Sequence, residues 1–239
     1  MSNPTTTAPK TCVIIPAYME QRMIREVITR TRHYLRDIVV VDDGSRDRTA
    51  DEAEAAGATV IRHTGNMGKG IALNTGFRYA REHNFDCLIT MDADGQHDPA
   101  DIPRFIATHV STGIPVLIGN RMGATANMPL IRRWTNRLMS WFLSRTMGQY
   151  VPDTQCGFRL YRSDVLPFIE AQSARYAAES EILLLIAGRG IRMDSVPITV
   201  IYNESRSKIN PIRDTWRFLL MIHRYQSDPR RIPRRKSGS

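Results

Sequence analysis

The chain predicts an α/β fold: a central, mostly parallel sheet flanked by helices. Three observations predict it. Short β-prone apolar runs alternate with helical stretches, the runs read as continuously hydrophobic in the manner of strands buried on both faces, and several end abruptly in carboxylates or other polar groups. With 239 residues, 42% of them apolar, the chain is long enough for one sizeable domain with a short appendage, and too apolar for global disorder.

In order, residues 11–16 (TCVIIP) read as a buried first strand, followed by a helix over about 23–35. Residues 37–41 (DIVVV) form the second strand, which stops at Asp42-Asp43-Gly44-Ser45. An Ala/Glu-rich helix over 49–56 follows, with Asp47 as its cap, then a third strand over 58–61. Gly65-Asn66-Met67-Gly68-Lys69-Gly70 is a loop entering a helix that runs to about residue 82. A fourth strand leads into Asp92-Ala93-Asp94; Asp98-Pro99 opens a helix near 100–109, and 115–119 is a fifth strand. In such sheets ligands bind beyond the carboxyl ends of the strands. Pro16, Asp42/Asp43, Asp92/Asp94 and Asn120/Arg121 all fall just past strand ends, which points to one shared site.

The remainder is different in texture. Residues 129–147 interleave Trp134, Leu138, Trp141 and Phe142 with Arg132, Arg133, Arg137 and Arg145. An amphipathic core helix with solvated arginines is the plain reading; a helix at a membrane interface is the alternative. Further strands are expected over 157–161 and 191–202, an apolar helix over 179–187 with Glu179 and Glu181 capping or pairing within it, and an amphipathic helix over 211–228. Residues 1–10 and the basic segment 229–239 read as unstructured ends.

The formal charge of +9 favours an anionic partner. Cys12, Cys87 and Cys156 lack zinc-type spacing and read as reduced thiols of a cytosolic protein. No signal peptide or apolar stretch of membrane-spanning length is visible. His63, His97 and His223 are expected to be surface or structural residues.

Asp92 and Asp94 carry the sharpest signal. Two acids this close repel unless a cation offsets them, and hard oxygen donors favour Mg²⁺ or Mn²⁺ shared with a substrate phosphate. The competing reading, an Asp94-Gly95 turn, does not explain two acids directly after an apolar strand. Asp43 at its strand end could accept hydrogen bonds from a nucleobase. Gly65–Gly70 lacks the spacing of a P-loop.

Val13-Ile14-Ile15-Pro16-Ala17-Tyr18, the Asp-Asp-Gly-Ser element, Asn66–Gly70, Met91–Pro99 and Gly119-Asn120-Arg121 together resemble family-2 glycosyltransferases of the GT-A fold. The narrower likeness is to dolichol-phosphate mannose synthases and polyprenyl-phosphate glycosyltransferases, carried also by Gly157-Phe158-Arg159, Val196-Pro197-Ile198 and Ser207-Lys208. The resemblance spans residues 11–210 as one domain. It implies that Pro16, Ala17, Tyr18, Glu20, Asp43, Lys69 and Asp92 bind the nucleotide. Asp92, Asp94 and Gln96 would hold the metal. Asp94, Arg121 and Asp153 would form the catalytic set, with Asp153, Gln155 and Gly157-Phe158 bordering the sugar. Arg121, Arg133, Gln155, Arg206 and Lys208 would meet phosphate or acceptor. Met19 departs from the family pattern where Asn commonly precedes the Glu, and Cys156 where Ser is common.

The implied activity is metal-dependent inverting transfer of a hexose-type unit from a GDP- or UDP-sugar to a polyprenyl or dolichyl phosphate. That acceptor is already nucleophilic, whereas a sugar hydroxyl needs a base. Processive polysaccharide synthases carry Gln-x-x-Arg-Trp; here Arg133-Trp134 keeps only the last pair, which weighs for lipid phosphate over a saccharide hydroxyl. A sugar-phosphate nucleotidyltransferase would need a Gly-rich basic loop near the first strand. A nucleic-acid-binding module would leave Asp92/Asp94 unexplained, and no nucleic-acid partner is expected. The expected setting is peripheral, at the cytoplasmic face of a membrane.

Overall fold

The computed structural model describes residues 8–122, 130–171 and 178–201, with side chains from Trp134 onward in the second segment. Arg206, Lys208, the expected 211–228 helix, the 229–239 segment and the Arg133 side chain lie outside the described residues.

Among the described residues, seven strands form one sheet in the order β3-β2-β1-β4-β6-β5-β7. The first half alternates strictly: β1 (Thr11–Ala17), α1 (Ile24–Thr31), β2 (Ile38–Asp42), α2 (Thr49–Ala55), β3 (Thr59–Arg62), α3 (Lys69–Glu82) and β4 (Cys87–Thr90). All five residues of β2 and all four of β4 are buried, so an unbroken apolar run suits a strand covered on both faces. A short 3₁₀ turn (Pro99–Asp101) and α4 (Ile102–Thr112) lead to β5 (Val116–Asn120), α5 (Leu130–Met147), β6 (Arg159–Arg162), α6 (Ala178–Gly188) and β7 (Met193–Pro197). Asp98 caps the turn by accepting from the Ala100 N–H, and Gly113 closes α4 in the left-handed conformation, φ +65°, as helix ends favour. The expected strand at 191–202 is shorter than predicted, with Val200 making one further bridge to His97.

β6 runs antiparallel to both β4 and β5; every other pairing is parallel. Because β6 is reversed, its beginning lies at the carboxyl edge of β4, with Arg159 opposite Thr90. The loop before β6 therefore enters the crevice where a parallel strand would have sent its other end.

Pro16 sits inside β1 without cost. The Ile14 carbonyl accepts from Met91 on the β4 side and the Ala17 carbonyl accepts from Asp43 on the β2 side. By alternation, the missing Pro16 N–H faces β4 beyond the last residue pair of that ladder, Ile14 with Thr90. No ladder bond is lost, and the two strands part there.

α3 packs against β1 through Gly76. A Cβ there would approach the Cγ2 of the fully buried Ile14 within 2.2 Å. Gly76→Ala gains about 1 kcal/mol of helix propensity, but overpacking costs roughly 1–3 kcal/mol, and a clash against a strand side chain belongs at the upper end. The variant is expected to unfold at lower urea concentration than the parent, measured by circular dichroism. Among the described residues no helix is long and apolar enough to cross a membrane.

Candidate active site

The site is built at the carboxyl edge of β1, β4 and β5, starting from the turn after β2. Asp42 ends β2 and accepts the Ser45 N–H with Oδ1, while Oδ2 lies 3.1 Å from Arg62 Nε. Gly44, at φ +71°, makes the tight turn against the backbone of Gly65. The Ser45 and Thr49 hydroxyls each accept a backbone N–H from the loop after β1, from Met19 and Glu20. This holds Tyr18 at the surface, with Ala17 buried behind it and Pro16 and Glu20 partly covered. The N-cap position of α2 is Arg48, not the expected Asp47, which stands one residue earlier and accepts the Thr49 N–H.

Asp43 is engaged by groups of its own chain. Its Oδ1 accepts the Met67 N–H at 2.9 Å and faces His63 Nδ1 at 2.8 Å; its Oδ2 accepts the Gly68 N–H at 2.7 Å. The carboxylate, buried in the fold, ties down the loop leading to α3. His63, bridging Asp43 and Thr75 Oγ1, is structural, as expected.

The pinned loop delivers Lys69 as the first residue of α3. Its Nζ lies 2.5 Å from Asp92 Oδ1 and 2.5 Å from Glu179 Oε1. Burial opposes the charge on Lys69, but the two carboxylates overcome this and raise its pKa above the ordinary value. Burial likewise opposes the charge on Asp92; Lys69, and next His97, hold its carboxyl well below the usual range. Glu179 thus pairs across the site and not within its own helix, a role that sequence spacing could not reveal. Its placement depends on Arg159, fully buried, which donates to the carbonyls of Thr154, Cys156 and Glu179.

Asp94 is a turn residue, two positions after Asp92. Its Oδ1 accepts the Gln96 N–H at 3.0 Å, beside Gly95 at φ +74°. The Gln96 carbonyl accepts the Ile201 N–H, so the chain after β7 lies along this turn. Asp101 helps bring it there, accepting from Thr199 N–H and Arg104. His97 accepts the Asp92 N–H at Nδ1; the network therefore assigns the proton to Nε2, which points towards Asp92 Oδ2 and Cys156 Sγ, each at 3.9 Å. Burial, only partly offset by Asp92 and Asp94, lowers the His97 pKa. Burial also pushes the Cys156 thiol up to about 12, so the cysteine at this position is an inert packing group.

Arg121 and Asp153 are brought together, but onto each other. Arg121 Nε and one terminal nitrogen donate to Asp153 at 2.7 and 2.9 Å, and the Arg121 N–H adds a third bond at 3.2 Å. Asp153 has no exposed surface. The reading of Asp153 as a sugar-facing or catalytic carboxylate is corrected: it is the buried anchor of Arg121. The positive field of Arg121 still reaches Asp92. Gln155 directs its amide to Ser180 at the start of α6.

The donor set fits a hard divalent ion. Asp92 and Asp94 offer carboxylate oxygens on one turn, and the Asp92 carboxylate is seated against Gly157, where a Cβ would stand 2.7 and 2.9 Å from its oxygens. Among the described residues no cluster of three or more metal-ligating side chains forms; two carboxylates with the balance from substrate phosphates is the usual Mg²⁺ arrangement.

Two outcomes follow from this geometry. Met19 has φ +58°, a left-handed conformation that Asn tolerates and that costs most other residues roughly 1 kcal/mol. Met19→Asn should therefore raise the melting temperature by about 3 °C in calorimetry. Gly157→Ala should displace the Asp92 carboxylate and weaken Mn²⁺ binding at least tenfold, measured by isothermal titration with a nucleoside diphosphate present.

Comparisons with known proteins agree with this architecture. The family model described as glycosyl transferase family 2 matches residues 12–168. The chain is 33% identical over 204 residues to an undecaprenyl-phosphate mannosyltransferase of Micrococcus luteus, covering 80% of this chain and 83% of that protein. It is also 33% identical over 215 residues to a UDP-N-acetylglucosamine–dolichyl-phosphate N-acetylglucosaminyltransferase of Methanococcus voltae, covering 80% and 86%. In fold it is similar to glucosyl-3-phosphoglycerate synthase from Mycobacterium tuberculosis, solved in complex with Mn²⁺, UDP and phosphoglyceric acid, at TM-score 0.70 and 19% identity over 95% of this chain and 80% of that one. With more than half of its length matched by the family model, and with an acid-ended β4 in a sheet of this order, the chain belongs to glycosyl transferase family 2.

Proposed function

We propose that this glycosyltransferase moves a hexose-type unit, with inversion, from a nucleoside-diphosphate sugar to the phosphate of a polyprenyl or dolichyl lipid. The observation that supports it most directly is the acid pair Asp92/Asp94 at the carboxyl end of β4, held beside Lys69 and within the field of Arg121. The relatives named for polyprenyl- and dolichyl-phosphate transfer, and the Mn²⁺ and UDP complex of the structural neighbour, support the acceptor, donor and metal classes.

Asp92 and Asp94 would hold Mg²⁺ or Mn²⁺, with Gln96 at the edge of that turn; the ion supplies charge neutralisation for the departing diphosphate. Lys69, at the N-terminus of α3, adds a second cation and a helix end suited to anionic oxygens. Pro16, Ala17, Tyr18 and Glu20 would border the nucleotide where β1 and β4 part. Asp43 would act there indirectly, by fixing the Met67–Gly68 backbone that positions Lys69. Gln155, beside Ser180, would face the sugar side. Arg121, oriented by Asp153, would carry positive charge towards the reacting phosphates.

A phosphate acceptor is ionised near neutral pH and attacks without an enzymic base. Its lipid places the reaction at a membrane surface, so the protein would act there as a peripheral enzyme on the cytoplasmic side. The test is a panel of GDP- and UDP-sugars with Mn²⁺ or Mg²⁺, with and without polyprenyl phosphate. Product should form with one donor, require the metal and require the lipid phosphate. Transfer to a saccharide hydroxyl in its place would overturn the acceptor. Asp94→Asn should lower turnover by roughly 10²–10³-fold, on the scale of losing one dominant electrostatic group, while leaving the circular dichroism spectrum unchanged.

A further inference from the structure

Asp92 has two carboxylate oxygens, and both already face a donor. Oδ1 lies 2.5 Å from Lys69 Nζ, and Oδ2 lies 3.9 Å from His97 Nε2. Gly157 lies against both, since even a Cβ there would stand 2.7 and 2.9 Å from them. A divalent ion bound to this carboxylate therefore needs one donor to give way. His97 cannot: it is buried, and its other ring nitrogen accepts the Asp92 N–H. Lys69 can. Its charge sits on a flexible four-carbon stem with rotatable donors, and Glu179 Oε1 offers it a second seat at 2.5 Å. The Lys69 and Asp92 side chains are 26% and 28% exposed, whereas Glu179 is 9% exposed. An ion arriving from solvent meets Asp92, and the covered Glu179 is left to the lysine.

We propose that Lys69 is a resident counter-cation at Asp92, which yields that carboxylate to the divalent ion and is retained by Glu179. The inference rests on the reading of Asp92 and Asp94 as the metal-holding pair, and it adds Glu179 as a positioning residue. Formal charge favours the exchange. Asp92, Asp94 and Glu179 are three carboxylates; one ammonium and one divalent ion together match them. Without Glu179 the same two cations would face two carboxylates, in a partly desolvated crevice where repulsion is poorly screened. Arg121 does not disturb the balance, because Asp153 already pairs with it. Held on Glu179, the displaced ammonium stays in the crevice as a donor for diphosphate oxygens; released to solvent, it would not.

The chain has four lysines, Lys10, Lys69, Lys208 and Lys236, so the ammonium can be followed directly. In full-length protein labelled with ¹⁵N at the lysine side chains, the Lys69 resonance is the one missing from Lys69→Met. An ammonium held by carboxylates exchanges its protons slowly and gives a sharp signal; one in bulk water does not. Saturating Mg²⁺ should shift the Lys69 signal of the parent and leave it sharp. In Glu179→Gln the same addition should broaden it beyond detection. That variant should also bind Mn²⁺ roughly tenfold more weakly, and Lys69→Met roughly tenfold more tightly, both read from the free-Mn²⁺ signal in electron paramagnetic resonance without nucleotide. The parent titration decides even where a variant is unstable by circular dichroism. A Lys69 signal that stays in place while the ion is bound overturns the exchange. So does a signal that shifts and stays sharp in folded Glu179→Gln, which would remove Glu179 as the retaining seat. Parent protein that binds no Mn²⁺, with or without UDP, removes the metal reading and the exchange with it; Mn²⁺ bound beside an unmoved Lys69 removes the exchange alone.

Discussion

The ammonium of Lys69, lying between Asp92 and Glu179, is the contact on which the carboxyl edge of the sheet depends. Two carboxylates from β4 and α6 converge there, and neither is fully solvated. Without a cation between them their repulsion and desolvation would push the strand end and the helix start apart. The lysine is in turn fixed from below. Asp43 holds the Met67 and Gly68 amides, which sets where α3 begins and so where Lys69 points. Glu179 is fixed from above by Arg159, whose guanidinium gathers three backbone carbonyls from two segments. Asp92 is confined from behind by Gly157. The acid that would hold a metal is thus held from several sides, which is the condition for preorganised charge stabilisation.

Sheet geometry explains why these pieces meet. Parallel β1, β2 and β4 send their loops to one edge, and the reversal of β6 delivers residues 153–158 to that same edge. Pro16 marks the spot where β1 no longer has β4 as a partner, so the crevice opens at a residue that never needed the lost bond. The chain after β7 returns to lie along the Asp94–Gln96 turn, tied by Asp101 to the start of α4. Elements distant in sequence converge because strand direction decides it.

Much of this was legible beforehand, and the reasons differ residue by residue. The strands were readable because burial on both faces makes them unbroken apolar runs, and the acid pair was readable because it interrupts such a run. Strand direction was not: four residues such as Arg159–Arg162 have the same local pattern whichever way they run. Pairings were not either. Arg121 and Asp153 each read as a ligand-facing charge, but a buried guanidinium and a buried carboxylate at this distance satisfy each other first. Glu179 read as a cap of its own helix, because local spacing shows only neighbours one turn away. Asp43 read as a base acceptor since a strand-end acid has unsatisfied oxygens until the glycine loop, more than twenty residues on, folds over it. Met19 is the converse: its departure from the family's Asn was visible in the sequence, and only φ +58° shows what the Asn is suited to.

α5 shows why an amphipathic pattern alone does not say which face is inside. Its stripe of Trp, Leu and Phe is as good a core face as many, yet the segment 151–154 has backbone and hydroxyl groups that require partners when buried. Ser140 and Ser144 supply them, and they are drawn inward together with Leu143, Met139 and Met147. The segment secured in this way is the one that carries Asp153, which grips Arg121. One helix therefore does two things that are physically linked. Its polar face steadies the loop that orients a site arginine, and this choice leaves its aromatic, arginine-flanked face outward.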